Sequence, residues 1–213
     1  MSHDPGGNAG PLDASGNGLR LRRVCVFCGS SAGEDTRYLD AASEIGTLLA
    51  DEGIELVYGG SRVGLMGRLA ETVLAAGGRV IGVMPRALVN REVAHQDLHE
   101  LRIVGSMHER KAEMAELADA FVALPGGLGT LEEFMEVLTW GQLGLHRKPC
   151  GLLDVGGYYR PLIRFLDHMV REGFLSHGNR GMVVVEPTPE ALLDRLRGYE
   201  APAVPRWIAE DET

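Results

Sequence analysis

The chain has 213 residues, 45% of them apolar, and a formal net charge of −9. That length and apolar content suit one globular domain with a sizeable core and exclude a disordered or fibrous chain. The excess of 30 Asp+Glu over 21 Lys+Arg argues against nucleic acid or an anionic membrane as a partner, since both call for clustered positive charge.

Residues 1–18 are rich in Gly, Asn, Ser and Asp, lack an apolar stretch and read as a disordered leader rather than a signal peptide. A single domain is expected over 19–199, followed by a flexible tail over 200–213 that carries Pro202 and Pro205. No segment approaches the length of a membrane span. Within the domain, strands are predicted at Arg23–Cys28, Ile54–Tyr58, Arg79–Met84, Leu101–Val104, Ala120–Leu124, Cys150–Leu153 and Met182–Val185. Helices are predicted at Thr36–Glu52, Leu65–Ala76, Met107–Leu117, Leu131–Leu143, Tyr159–Glu172 and Pro189–Gly198. Short strands apolar on both faces, alternating with helices, predict an α/β fold: a doubly wound, Rossmann-like parallel sheet sandwiched between helices.

Cys25-Val-Phe-Cys28 has the spacing of a redox or zinc pair, but it lies inside a strand-like run. No second Cys pair or close His pair supplies further ligands, so no metal is expected. Cys25, Cys28 and Cys150 read as buried thiols of a cytoplasmic protein. His108, His146 and His177 are scattered, with surface positions as the default for each.

Three glycine-rich turns follow strands: Gly29-Ser-Ser-Ala-Gly33, Gly59-Gly-Ser-Arg-Val-Gly-Leu-Met-Gly67 and Gly126-Gly-Leu-Gly-Thr130. In an open α/β sheet, ligands bind outside the carboxyl ends of the strands, where all three turns would lie. The third turn is the most informative. Its glycines let a ligand approach the backbone, and a helix N-terminus offers free N–H groups to an anion. Thr130 is placed to cap that helix, with Glu133 in its first turn, where the dipole favours an ionised carboxylate. The same Thr130-Leu-Glu-Glu133 run also reads as a capping box, a purely structural device. The turn lacks the Lys of a P-loop, and Glu132 stands where a dinucleotide fingerprint wants glycine. An NTPase and an NAD-linked enzyme are both disfavoured.

Met107-His-Glu-Arg-Lys-Ala-Glu-Met114 and Pro125-Gly-Gly-Leu-Gly-Thr-Leu-Glu-Glu133 closely resemble the LOG family. Its members are cytokinin riboside 5′-monophosphate phosphoribohydrolases, often mislabelled lysine decarboxylase-like. The likeness runs from Val24 to Phe174 and includes Cys25-Val-Phe-Cys-Gly-Ser-Ser31, Val57-Tyr-Gly-Gly60, Gly64-Leu-Met-Gly67 and Thr139-Trp-Gly-Gln-Leu-Gly144. Ser61 departs from the family, which usually has a third glycine there, and would hinder backbone approach if the position needs positive φ.

The resemblance implies catalytic roles for Arg110 and Glu133. It also implies substrate contacts by Ser30, Gly60, Met107, Lys111, Gly126, Gly127, Gly129 and Thr130, with Glu92 on the purine side. The implied reaction removes the base from a nucleoside 5′-monophosphate, leaving ribose 5-phosphate, with no cofactor. A pyridoxal phosphate role for Lys111 is disfavoured, because such decarboxylases are far longer. A homodimer with the active site near the subunit boundary is implied as well. A non-catalytic nucleotide sensor or carrier on the same fold is the alternative from another class.

Overall fold

The computed structural model describes residues 18–89 and 94–202. Glu92, the leader up to residue 17 and the tail from residue 203 lie outside the described residues. Seven strands form one parallel sheet in the order β4-β3-β2-β1-β5-β6-β7. They are β1 (Arg23–Phe27), β2 (Glu55–Tyr58), β3 (Val80–Pro85), β4 (Glu100–Val104), β5 (Ala120–Ala123), β6 (Cys150–Leu153) and β7 (Val183–Glu186). The strand order reverses between β1 and β5, which pair directly from Val24↔Ala120 to Phe27↔Ala123. The turns leaving these two strands diverge there and open a crevice.

β1, β5 and β6 are buried almost throughout. Both of their faces therefore require cover, which makes the strands continuous apolar runs rather than alternating ones. On one face α1 (Arg37–Asp51), α2 (Gly64–Ala75) and α8 (Pro189–Arg197) pack Ile45, Leu49, Leu69, Leu192 and Leu196 against Val24, Val26 and Leu56. On the other, α4 (Met107–Leu117), α5 (Leu128–Gln142) and α6 (Arg160–Arg171) pack Met114, Phe134, Val137 and Leu166 against Cys25, Phe27 and Phe121. All three cysteines are buried as free thiols. Among the described residues, no helix is long and apolar enough to cross a membrane.

Two short helices were not predicted: α3 (Arg86–Val89), after β3, and α7 (His177–Gly181), before β7. A single turn has too few residues to display a periodicity. One boundary difference bears on function. α5 begins at Leu128, not Leu131, with Gly127 as its N-cap in an extended conformation (φ −88°, ψ −156°) and no side-chain cap. Thr130 is therefore inside the first turn and buried, and it caps nothing. The capping box disappears with it. The Gly-Leu-Gly sequence looks like a loop by propensity, but the helix starts inside it.

Candidate active site

The three glycine turns converge as expected. The Gly29 N–H donates to the Pro125 carbonyl at 3.1 Å, and the Leu65 N–H donates to the Gly29 carbonyl at 3.0 Å. Gly126 is a glycine for lack of space: a Cβ there would collide with the Thr130 side chain and lie 2.9 Å from the Gly29 nitrogen. Gly127 and Gly129 face open space, where an added Cβ would meet nothing within 4 Å. Ser30 is exposed beside this junction. Gly60, by contrast, is buried at φ +79°, and its carbonyl accepts from the His95 N–H at 3.0 Å.

Ser61 is no obstacle. Among the described residues no non-glycine has positive φ, so the serine needs no left-handed backbone. It is fully buried, bridges to Ala94 and accepts a long bond from the Val63 N–H at 3.4 Å.

Below the turns sits a buried ion pair. Arg110, from the first turn and a half of α4, places Nη1 2.8 Å from Glu133 Oε1 of α5, with side chains 11% and 12% exposed. Ser106 caps α4 by accepting from the Glu109 N–H at 3.1 Å, which sets where the helix starts and thus where Arg110 points. Arg110 Nε donates to the Val83 carbonyl at 3.1 Å, and Nη2 lies against Gly59, where any Cβ would clash. The guanidinium is thus gripped by β3, the turn after β2 and α5 together. Met107 stands 40% exposed at the head of α4, its sulfur 4.0 Å from Arg110 Nη1, whereas Met114 is buried in the core.

Glu133 departs from one expectation. With Leu128 as the first helical residue it is the sixth, beyond the reach of the helix dipole. Burial pushes its carboxyl above the ordinary glutamate range, with Arg110 pulling the other way and Glu132 adding to the rise. The carboxylate is a stronger base than an exposed glutamate, and Arg110 is what keeps it ionisable. Burial, and secondarily Glu133 itself, holds the neighbouring Cys25 and Cys28 thiols well above their usual range, so both are neutral.

Lys111 faces α5 rather than the glycine turns. Its ammonium, 11% exposed, lies 2.6 Å from Glu132 Oε1 and 2.9 Å from Glu136 Oε2. The resulting ion-pair triad ties α4 to α5. Burial lowers the lysine, but the two carboxylates outweigh it and the net displacement is upward. A Schiff-base lysine needs the opposite shift.

Tyr158 and Tyr159 were not anticipated. Tyr158 Oη donates to the Gly126 carbonyl at 2.6 Å, and Tyr159 Oη donates to the Leu124 carbonyl at 2.5 Å. They follow Val155-Gly156-Gly157, a fourth glycine turn after a strand, which was the available signal. His146 also differs from expectation: it is partly buried, accepts from the Lys148 N–H through Nδ1 and pairs with the Val137 carbonyl at 2.7 Å. His108 and His177 are exposed.

A doubly wound parallel sheet with glycine turns at its switch point, above a buried Arg–Glu pair, defines a Rossmann-like protein of the nucleotide-site class. Comparison with known proteins gives the family. A family model described as "Possible lysine decarboxylase" matches residues 66–196. A probable cytokinin riboside 5′-monophosphate phosphoribohydrolase of Oryza sativa subsp. japonica is 53% identical over 180 residues, 84% of this chain and 74% of the relative. The cytokinin riboside 5′-monophosphate phosphoribohydrolase LOG of the same plant is 52% identical with the same shares covered. An Arabidopsis thaliana counterpart is 51% identical, covering 84% of each chain. The molybdenum cofactor carrier protein of Chlamydomonas reinhardtii superposes with a TM-score of 0.62 at 22% identity, over 83% of this chain and 98% of that one. That last likeness concerns the fold alone. The chain belongs to the LOG family of phosphoribohydrolases.

Proposed function

We infer that the protein hydrolyses the N-glycosidic bond of an adenosine 5′-monophosphate, N6-modified as in cytokinin nucleotides or plain, to free base and ribose 5-phosphate. The observation that carries the reading is the buried Arg110–Glu133 pair, 2.8 Å apart, beneath a glycine turn whose Gly126 to Gly129 N–H groups meet no protein acceptor among the described residues. The 5′-phosphate rests on the N–H groups of Gly127 to Gly129 at the start of α5, where the helix dipole adds to the bonds. Thr130, buried behind the turn, shapes the cradle.

Breaking the glycosidic bond builds positive charge on the ribose. Glu133 supplies the compensating anion and, as a base strengthened by burial, accepts a proton from the attacking water. The water oxygen bonds to the anomeric carbon as the base departs. Arg110 holds Glu133 in place and presents its remaining donors to substrate oxygens. Remote phosphate binding positions the scissile bond, so the bare nucleoside is expected to react poorly. A pure carrier has no use for a buried carboxylate of raised basicity, which favours the enzyme over the binding module.

Chromatographic detection of free base after incubation with AMP and with isopentenyladenosine 5′-monophosphate tests the reading. Release from the monophosphates but not from the matching nucleosides is expected. Tight nucleotide binding without release would move the assignment to a sensor or carrier. The functional unit proposed is a homodimer with the site near the subunit boundary.

A further inference from the structure

The connection after β6 is a fourth glycine-rich turn at the same end of the sheet, and the reaction as described leaves it idle. It reads Val155-Gly-Gly-Tyr-Tyr159, with both glycines at positive φ. Its two tyrosines differ in character. Tyr159 is 1% exposed, its N–H donates to Asp154 Oδ1 at 2.7 Å, and its hydroxyl holds the end of β5 at the Leu124 carbonyl. Tyr158 is 40% exposed, yet its ring is gripped edge-on by Tyr38 and Tyr159, with centroids 5.7 and 5.1 Å away. That grip aims its hydroxyl at the Gly126 carbonyl, 2.6 Å away.

A trans peptide plane points its C=O and its N–H in opposite directions. Fixing a carbonyl therefore aims the next residue's N–H. Along the phosphate turn every carbonyl is held from behind: Pro125 by the Gly29 N–H at 3.1 Å, Gly126 by Tyr158, and Gly127 by the Leu131 N–H at 3.1 Å. Among the described residues, none of the N–H groups of Gly126, Gly127, Leu128 and Gly129 donates to a protein acceptor. The Pro125 and Gly127 carbonyls are tied by backbone, which comes with the fold. Only the Gly126–Gly127 plane depends on a side chain, and that plane sits in the middle of the cradle.

We propose that Tyr158 is a positioning residue for phosphate recognition, its hydroxyl anchoring the Gly126 carbonyl so that the Gly127 N–H faces the 5′-phosphate. The identity of the ligand rests on the phosphoribohydrolase reading; the aiming of the peptide plane does not. Only one of several cradle bonds depends on Tyr158, and the N–H groups of Leu128 and Gly129 still position the phosphate without it, so loss of this one bond raises KM more than it lowers kcat.

The test compares Tyr158→Phe with Tyr159→Phe. Each is assayed with isopentenyladenosine 5′-monophosphate and with ribose 5-phosphate, inorganic phosphate and free adenine as inhibitors. Tyr158→Phe keeps the ring and its packing and loses one neutral hydrogen bond, so KM is expected to rise about fivefold. The inhibition constants of ribose 5-phosphate and phosphate should rise by the same factor, while kcat stays within about twofold and the adenine constant holds. Tyr159→Phe, which leaves a buried carbonyl unpaired, should lower Tm without that phosphate-selective pattern. Unchanged phosphate constants in Tyr158→Phe overturn the proposal, as does an equal loss for adenine or the same pattern in Tyr159→Phe. If the wild-type protein releases no base, the functional reading fails separately. Calorimetry of AMP against adenosine then still decides, since Tyr158→Phe must narrow the preference for the monophosphate.

Discussion

At Glu133 two environments compete, and the balance sets what the residue can do. Burial raises its proton affinity, and the Arg110 guanidinium 2.8 Å away opposes that rise. Because the ionised form is the working base, activity falls as pH drops through its pKa. The acid limb of kcat/KM is therefore expected above 4.5, the ordinary glutamate value. Lys111 acts on the same limb through Glu132 and Glu136, both of which raise Glu133 while Lys111 lowers it. Lys111→Met strips the neutralising charge from the two carboxylates, so the limb should move to higher pH. Glu132→Gln should move it to lower pH. Equal limbs in all three proteins, measured from pH 4 to 8, would remove the triad from the reaction. Glu133→Gln retains an amide oxygen to receive Arg110, so it should fold while losing about a hundredfold or more in turnover. Glu133→Ala should be worse for the fold, because it leaves a buried guanidinium unpaired, a loss of about 3–5 kcal/mol. A thermal melt beside the base-release assay separates the two effects.

The element that carries most of the site is α5 with its two ends, and both ends show what a sequence reveals. Its core face is readable, because Phe134 and Val137 recur at helical spacing after the Gly-Leu-Gly-Thr run. Its start is not, because glycine propensity argues for loop, whereas the turn is stabilised by partners distant in sequence: Gly29 from the turn after β1 and Tyr158 from beyond β6. Position 61 illustrates the same limit. Family pattern suggested a strained serine, and only the backbone angles reveal that Gly60, one residue earlier, takes the left-handed conformation. At the far end, His146 closes the corner into β6 with its ring 5.3 Å from Phe121. Burial depresses its pKa from 6.5 to about 4. The folded state thus favours neutral imidazole: its stabilisation is fully present above pH 6.5 and is lost as pH falls toward 4. The total at stake is up to about 3 kcal/mol. Melts from pH 7.5 to 4.5 should show a steeper acid loss in the wild type than in His146→Gln. Parallel slopes would mean that the ring is solvated.

For the whole molecule, the strand order explains why residues as far apart in sequence as Gly29 and Gly126 serve one site. β1 and β5 are neighbours at the reversal, so Gly29 and Gly126 meet there, and α4 crosses back beneath them to deliver Arg110. Alternation of strands and helices made this sandwich readable from the chain. The proposed association of two such chains rests on the outer side of α6. α6 carries its core contact through Leu166, yet Phe165 on its outer side is 58% exposed and Phe174, just past its end, is 83% exposed. Leu128, at the mouth of the phosphate turn, is 86% exposed. The exposed Phe165 and Phe174 make the outer side of α6 the contact surface we propose for the homodimer. In the proposed homodimer, burying the outer side of α6 stabilises the assembly by about 25 cal/mol for each Å² of apolar area removed from water. Phe165→Glu places a charge in that contact and should shift sedimentation from a dimer toward the 23.0 kDa chain. A site near the boundary adds a second readout, since base release per chain should fall on dilution through the dissociation range. A wild-type protein sedimenting as a single chain at micromolar concentration, with undiminished base release on dilution, would confine the site to one subunit.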